Sequence, residues 1–158
     1  MKKILKIFFC FFFITSCGYT PIFTASEVEF KISEYELEGD EGLGKRILDT
    51  LQRTKKKSPK EVKNLHIYID VTKNRIDAIK NSAGEVLTYK LDIVVKIKVK
   101  YPDSKDWIYA EKLSASISFD NQSQVSDTIS LENTTTNNII NKLSNDLVLT
   151  LNQFILQK

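Results

Sequence analysis

Apolar residues fall at alternate positions in four stretches of this chain and at every third or fourth position in two others. Val28, Phe30 and Ile32 alternate with Glu27, Glu29 and Lys31, the period of a strand with one buried face. Tyr35 and Leu37 continue in the opposite phase, which predicts a bulge near Ser33-Glu34. Leu43, Ile47, Leu48 and Leu51 then recur at helical spacing. Asp40 and Glu41 precede them, where carboxylates suit the helix dipole. Arg53, Lys55, Lys56 and Lys57 fall at the other end of this helix, and Ser58-Pro59 stops it. That basic run reads as a solvated helix end before it reads as a patch for an anionic partner.

Leu65, Ile67, Ile69 and Val71 alternate with His66, Tyr68 and Asp70 in a second strand that stays extended to Ile79, and Asn81-Ser82-Ala83-Gly84 supplies a turn. The third strand is the cleanest. Leu87, Tyr89, Leu91, Ile93, Val95, Ile97, Val99 and Tyr101 share one face, and Lys90, Asp92, Val94, Lys96, Lys98 and Lys100 the other. After a turn at Pro102-Asp103-Ser104, a fourth strand places Trp107, Tyr109, Leu113, Ala115, Ile117 and Phe119 on its apolar face. A polar loop is expected from Asp120 to Asp127. Ile139, Ile140, Leu143, Leu147, Leu151 and Ile155 then predict a final helix, with Thr134-Thr135 as its caps. The order β-α-β-β-β-α predicts an α+β fold: a two-layer sandwich in which two helices cover one face of a four-stranded, mostly antiparallel sheet.

The N-terminus obeys a different rule. Lys2, Lys3 and Lys6 precede an apolar run from Ile7 to Ile14, too short for a membrane span of roughly 20 apolar residues. A charged segment, a short apolar segment and small residues are the parts of a secretory signal. Ile14-Thr15-Ser16-Cys17 ends it, and apolar, small, small, Cys resembles the lipobox of bacterial lipoproteins. The resemblance implies cleavage before Cys17, a diacylglycerol on its sulfur and an acyl chain such as palmitate on its amine. The chain then divides into a signal over 1–16, a lipidated tether over 17–26 and a single domain over 27–158.

This division changes the charge. The whole chain carries 23 Lys and Arg against 20 Asp and Glu, and loss of Lys2, Lys3 and Lys6 leaves the remainder formally neutral. A nucleic-acid reading thereby loses its compositional support. Cys10 leaves with the signal and Cys17 takes the lipid, so neither a disulfide framework nor a cysteine metal site is expected. His66 is the one histidine, expected on an exposed sheet face, and it cannot build a His cluster or a hydrolase triad alone. No catalytic residue, cofactor or metal is expected, and the chain reads as a non-enzyme. One constellation points to binding. Lys96, Lys98 and Lys100 alternate along one strand, which sets three ammonium groups about 7 Å apart on one face, a pitch suited to a polyanion such as a phosphorylated lipid. Lys90 and Lys112 extend that face. The competing role is ordinary surface charge balanced by acids on neighbouring strands.

The lipobox runs directly into Cys17-Gly18-Tyr19-Thr20-Pro21-Ile22-Phe23, which resembles the Cys-Gly-aromatic-X-Pro-aliphatic-aromatic start of the LptE family of LPS-assembly lipoproteins. The downstream order of elements is also similar, including Tyr89-Lys90-Leu91 in the third strand of the meander. The resemblance implies an outer-membrane lipoprotein, anchored on the periplasmic side. It would plug and help assemble the large β-barrel LptD, and bind lipopolysaccharide on its way to the cell surface. Gly18 after the lipidated cysteine fits outer-membrane delivery. Lys96, Lys98 and Lys100 are then candidate contacts to lipopolysaccharide or to the barrel wall. Two alternatives stay open: a pilotin-like chaperone for another outer-membrane assembly, and a periplasmic carrier holding an acyl chain in its core.

Overall fold

The computed structural model describes residues 30–53 and 63–156. The signal, Cys17, the tether and the basic run from Lys55 to its stop at Pro59 lie outside the described residues. Six elements follow one another: β1 (Phe30–Gly39), α1 (Glu41–Arg53), β2 (Lys63–Lys80), β3 (Val86–Lys100), β4 (Tyr109–Asp120) and α2 (Val125–Leu156). The sheet order is β1-β2-β3-β4. β1 runs parallel to β2, joined through α1, whereas β2, β3 and β4 form an antiparallel meander. Helix α1 lies over β1 and β2, and α2 lies mainly over β4 and against α1. This is the expected α+β sandwich, with both helices on one face and the other face open.

Local chemistry sets each boundary. The bulge falls where the phase change places it: Ile32 pairs with Leu65 but Glu34 pairs with His66, so Ser33 is the extra residue. Its hydroxyl donates to the carbonyl of Leu65 at 3.3 Å. The bulge hands the helix-side positions from Phe30 and Ile32 to Tyr35 and Leu37, of which Leu37 packs against the core and Tyr35 stays exposed, and turns Glu34, Glu36 and Glu38 onto the open face. Gly39 then takes φ +73°, and a Cβ there would lie 2.2 Å from the carbonyl oxygen of Val71. Only glycine fits that approach. The amide of Asp40 donates to this same oxygen at 2.8 Å, and the Asp40 carboxylate accepts from the amide of Leu43 at 3.0 Å, capping α1.

The core lies between the layers. Ile67, Ile69 and Val71 of β2 and Leu91, Ile93, Val95, Ile97 and Val99 of β3 meet Ile47, Leu48 and Leu51 of α1 and Ile139, Ile140, Leu143, Leu147 and Leu151 of α2, all buried. At the end near Phe30, Leu65, Val99, Tyr101, Leu151 and Phe154 enclose an apolar cavity of about 10 Å³. That is room for about one water molecule. An acyl chain does not fit it.

Three expectations change. Helix α2 begins at Val125, inside the expected loop, which shrinks to residues 121–124. Thr134 and Thr135 are therefore interior rather than caps, and the Thr134 hydroxyl donates back to the carbonyl of Ser130 at 2.9 Å. Buried Thr128, Thr135 and Thr136 fill the inward positions of these early turns. Second, β4 starts at Tyr109, so Trp107 does not belong to its apolar face. A turn in which the Ser104 hydroxyl accepts from the Asp106 amide at 3.1 Å breaks the alternation and sends Trp107 to the open face. Third, His66 is on the open face but is only 8% exposed, because neighbouring side chains cover it.

Candidate functional site

The open face of the sheet is organised in rows by its register. Glu34, His66 and Lys100 stand side by side, then Glu36, Tyr68, Lys98 and Ala110, then Glu38, Asp70, Lys96 and Lys112. Carboxylates thus line β1 and ammonium groups line β3, with a mixed row on β2 between them. The sequence placed Lys96, Lys98 and Lys100 on one face, and that is where they are.

Their surroundings differ. Lys96 Nζ donates to Asp70 Oδ2 at 2.8 Å, and that hydrogen bond holds the lysine above its usual range. Lys98 has its ammonium 5.4 Å from the centre of the Tyr68 ring and 5.8 Å from the Trp107 ring. Lys100 stands 5.0 Å from the same indole. Both are within cation–π range of an aromatic face. Lys98 and Lys100 therefore both stand over Trp107, which is 40% exposed, while Lys96 is already neutralised. An exposed indole with two ammonium groups beside it offers an anionic ligand two charges and an apolar surface at once. Lys90 pairs with Asp92 at 3.0 Å, and hydrogen bonds from Ser116 and then Lys90 hold that carboxyl below the usual carboxylate range.

His66 lies beneath this surface. Its Nδ1 is 2.9 Å from Glu34 Oε2, its Nε2 is 3.0 Å from Glu36 Oε1, and the Trp107 ring meets it edge-on at 6.1 Å. The contact at Nε2 lacks hydrogen-bond geometry, which leaves that buried nitrogen without a hydrogen-bond partner. Tyr68 donates to Glu38, and this bond to a carboxylate, with burial adding to it, pushes the phenol up to about 12. Among the described residues no cluster of three or more His, Cys, Asp and Glu is arranged to hold a metal ion. The arrangement can bind, orient and neutralise charge.

Sequence reasoning missed Trp107, Tyr68 and the Glu34-Glu36-Glu38 row as members of this surface. The acidic row was readable, because the bulge that moves Tyr35 and Leu37 to the helix side must turn those three glutamates to the other. Trp107 was not, since its phase was counted across a turn that resets it.

Two clusters fasten α2 to the sheet from the other side. Glu132 of α2 takes Lys73 at 2.7 Å and Arg75 at 2.9 Å, both from β2, and Arg75 also lies 4.7 Å over the Tyr89 ring. Burial pushes the Glu132 carboxyl up, but the hydrogen bonds from Lys73 and Arg75 outweigh it and hold it below its usual value. Near the C-terminal end of α2, Tyr109 donates to Glu111, and Thr150 donates to the same carboxylate at 2.8 Å. Burial and the bond to Glu111 push the Tyr109 phenol up to about 12.

No protein-family model and no curated protein matches the chain. Solved structures do. A candidate lipoprotein of Caulobacter crescentus CB15 is 17% identical, with a TM-score of 0.57 over 78% of this chain and 90% of that one. A minor lipoprotein of Acinetobacter baumannii is 14% identical, with a TM-score of 0.56 over 78% and 93%. The rare lipoprotein B of Shewanella oneidensis is 14% identical, with a TM-score of 0.50 over 74% and 91%. The chain shares the fold of these bacterial lipoproteins. Among the described residues no helix is long and apolar enough to cross a membrane.

Proposed function

We propose that this protein is an outer-membrane lipoprotein of LptE type, held by lipid on Cys17, that plugs and helps assemble an LptD-like β-barrel in lipopolysaccharide transport. One observation carries the reading: a lipobox cysteine opening the heptapeptide Cys17 to Phe23 stands ahead of a domain whose fold recurs in solved bacterial lipoproteins. Three long acyl chains, at about 0.8 kcal/mol per buried CH₂, anchor the domain without a membrane-spanning helix. Anchoring also raises the local concentration of domain and barrel for one another. The polar open face and the loops then meet the polar lumen. Lys98 and Lys100 around Trp107 are the contact for the phosphorylated sugar headgroup, and Lys96 serves mainly to neutralise Asp70.

The protein acts by binding and positioning rather than by catalysis. The acyl-carrier alternative loses ground to the cavity of about 10 Å³ between the layers. The pilotin-like alternative differs only in the partner. Purification of the full chain in mild detergent separates the two. A large outer-membrane barrel recovered in equal amount is the expected result, and a purified chain with a different assembly, or with no barrel, overturns the proposal.

A further inference from the structure

The two edges of the sheet are built differently. β1 carries a bulge at Ser33 and an outward row of three glutamates, both devices that keep an edge from pairing with another strand. β4 has neither. It pairs with β3 through twelve uninterrupted positions, contains no proline, and is uncharged from Leu113 to Phe119. Among the described residues β4 pairs with β3 alone. Asn121 donates to the carbonyl of Leu87 at 2.8 Å, so the odd residues of β4 exchange backbone bonds with β3. By the antiparallel alternation, Lys112, Ser114, Ser116, Ser118 and Asp120 turn their amides and carbonyls outward.

We infer that the β4 edge pairs with the β4 edge of a second copy of this chain, antiparallel about a two-fold axis at Ser116. The sequence is complementary to itself in that register. Leu113 then faces Phe119 of the other copy and Ala115 faces Ile117, large beside small, on the helix side. Ser114 faces Ser118 and Ser116 faces itself on the open side. Lys112 faces Asp120, opposite charges, twice across the axis. Shifting the register by two places breaks this charge match. Two further features fit. Ile117 is 43% exposed on the helix side, and the second copy covers it. Lys112 stands directly opposite Lys96, whose charge Asp70 already answers, and Lys112 itself has no ion-pair partner among the described residues. Asp120 of the second copy supplies one. Eight strands then run in one sheet, with both helix layers on the same side. The pairing belongs to copies that are not seated in a barrel, since a domain filling a lumen leaves no room for a second sheet on its β4 edge, and it stands or falls separately from the lipopolysaccharide reading.

The test uses the full chain, produced in intact cells in excess of any barrel partner, with a short thiol-specific crosslinker. Ser116→Cys places two thiols opposite each other at the axis, and the expected product is a band at twice the chain mass, absent from the unsubstituted protein. Ala110→Cys lies outside the paired segment and stays uncrosslinked. Adding Lys112→Asp lowers the Ser116→Cys yield about fivefold or more, and Asp120→Lys on top of it restores the yield. No dimer band, equal yield from Ala110→Cys, or a yield indifferent to Lys112→Asp overturns the pairing. A product containing only a different protein overturns the second copy as the occupant.

Discussion

At the scale of single residues, the comb of three lysines becomes a site of two lysines and a tryptophan. Lys96 spends its charge on Asp70, whereas Lys98 and Lys100 keep theirs beside an indole that is open to solvent. Replacing Lys98 and Lys100 with Ser is therefore expected to weaken lipopolysaccharide binding about tenfold, and Lys96→Ser to weaken it less, with thermal midpoints close to the parent. Titration of the purified domain with lipopolysaccharide checks this, and a loss for Lys96→Ser as large as that of the double variant would restore the uniform comb. Gly39 makes a different demand. Gly39→Ala forces a Cβ onto the Val71 carbonyl at a positive φ, and is expected to cost about 2–4 kcal/mol, read as a lowered denaturation midpoint with an unchanged fold.

At the scale of elements, α2 is held chiefly by its buried apolar stripe and pinned to the sheet by Glu132 near one end and Thr150 near the other. Glu132→Gln removes the carboxylate shared by Lys73 and Arg75 and is expected to cost about 1–2 kcal/mol at neutral pH. The sign of the pH dependence follows from the lowered carboxyl. The folded state binds that proton less readily than the unfolded chain. Its stabilising contribution is full above the ordinary glutamate value and is lost as the pH falls through the depressed one. Denaturation midpoints of the parent and of Glu132→Gln should converge on acidification, and a constant gap down to low pH would remove Glu132 as the cause. Element placement was largely legible in the sequence. The phase change after Ile32 located the bulge, and 3-to-4 spacing located α1 and the C-terminal half of α2. The N-terminal half of α2 was not legible, because Thr128, Thr135 and Thr136 occupy inward positions that an apolar count passes over. Trp107 and His66 were misread for a related reason. Strand parity gives the face of a residue only while the strand is unbroken, and it says nothing of what neighbouring strands lay over it.

At the scale of the whole molecule, a neutral, thiol-free domain with one helix-covered face and one charged face follows an N-terminal segment whose Ile14-Thr15-Ser16-Cys17 resembles a lipobox. The fold agrees with solved bacterial lipoproteins along most of their length, at identities that carry architecture rather than partners. Every step of the proposed function, from anchoring to capture of a barrel, depends on Cys17 being the first residue and carrying lipid. Mass spectrometry of the mature N-terminus tests that directly. The expected chain begins at Cys17, and its mass exceeds that of the peptide by a diacylglycerol and an acyl chain. An unmodified N-terminus, at Met1 or at any other residue, would contradict it.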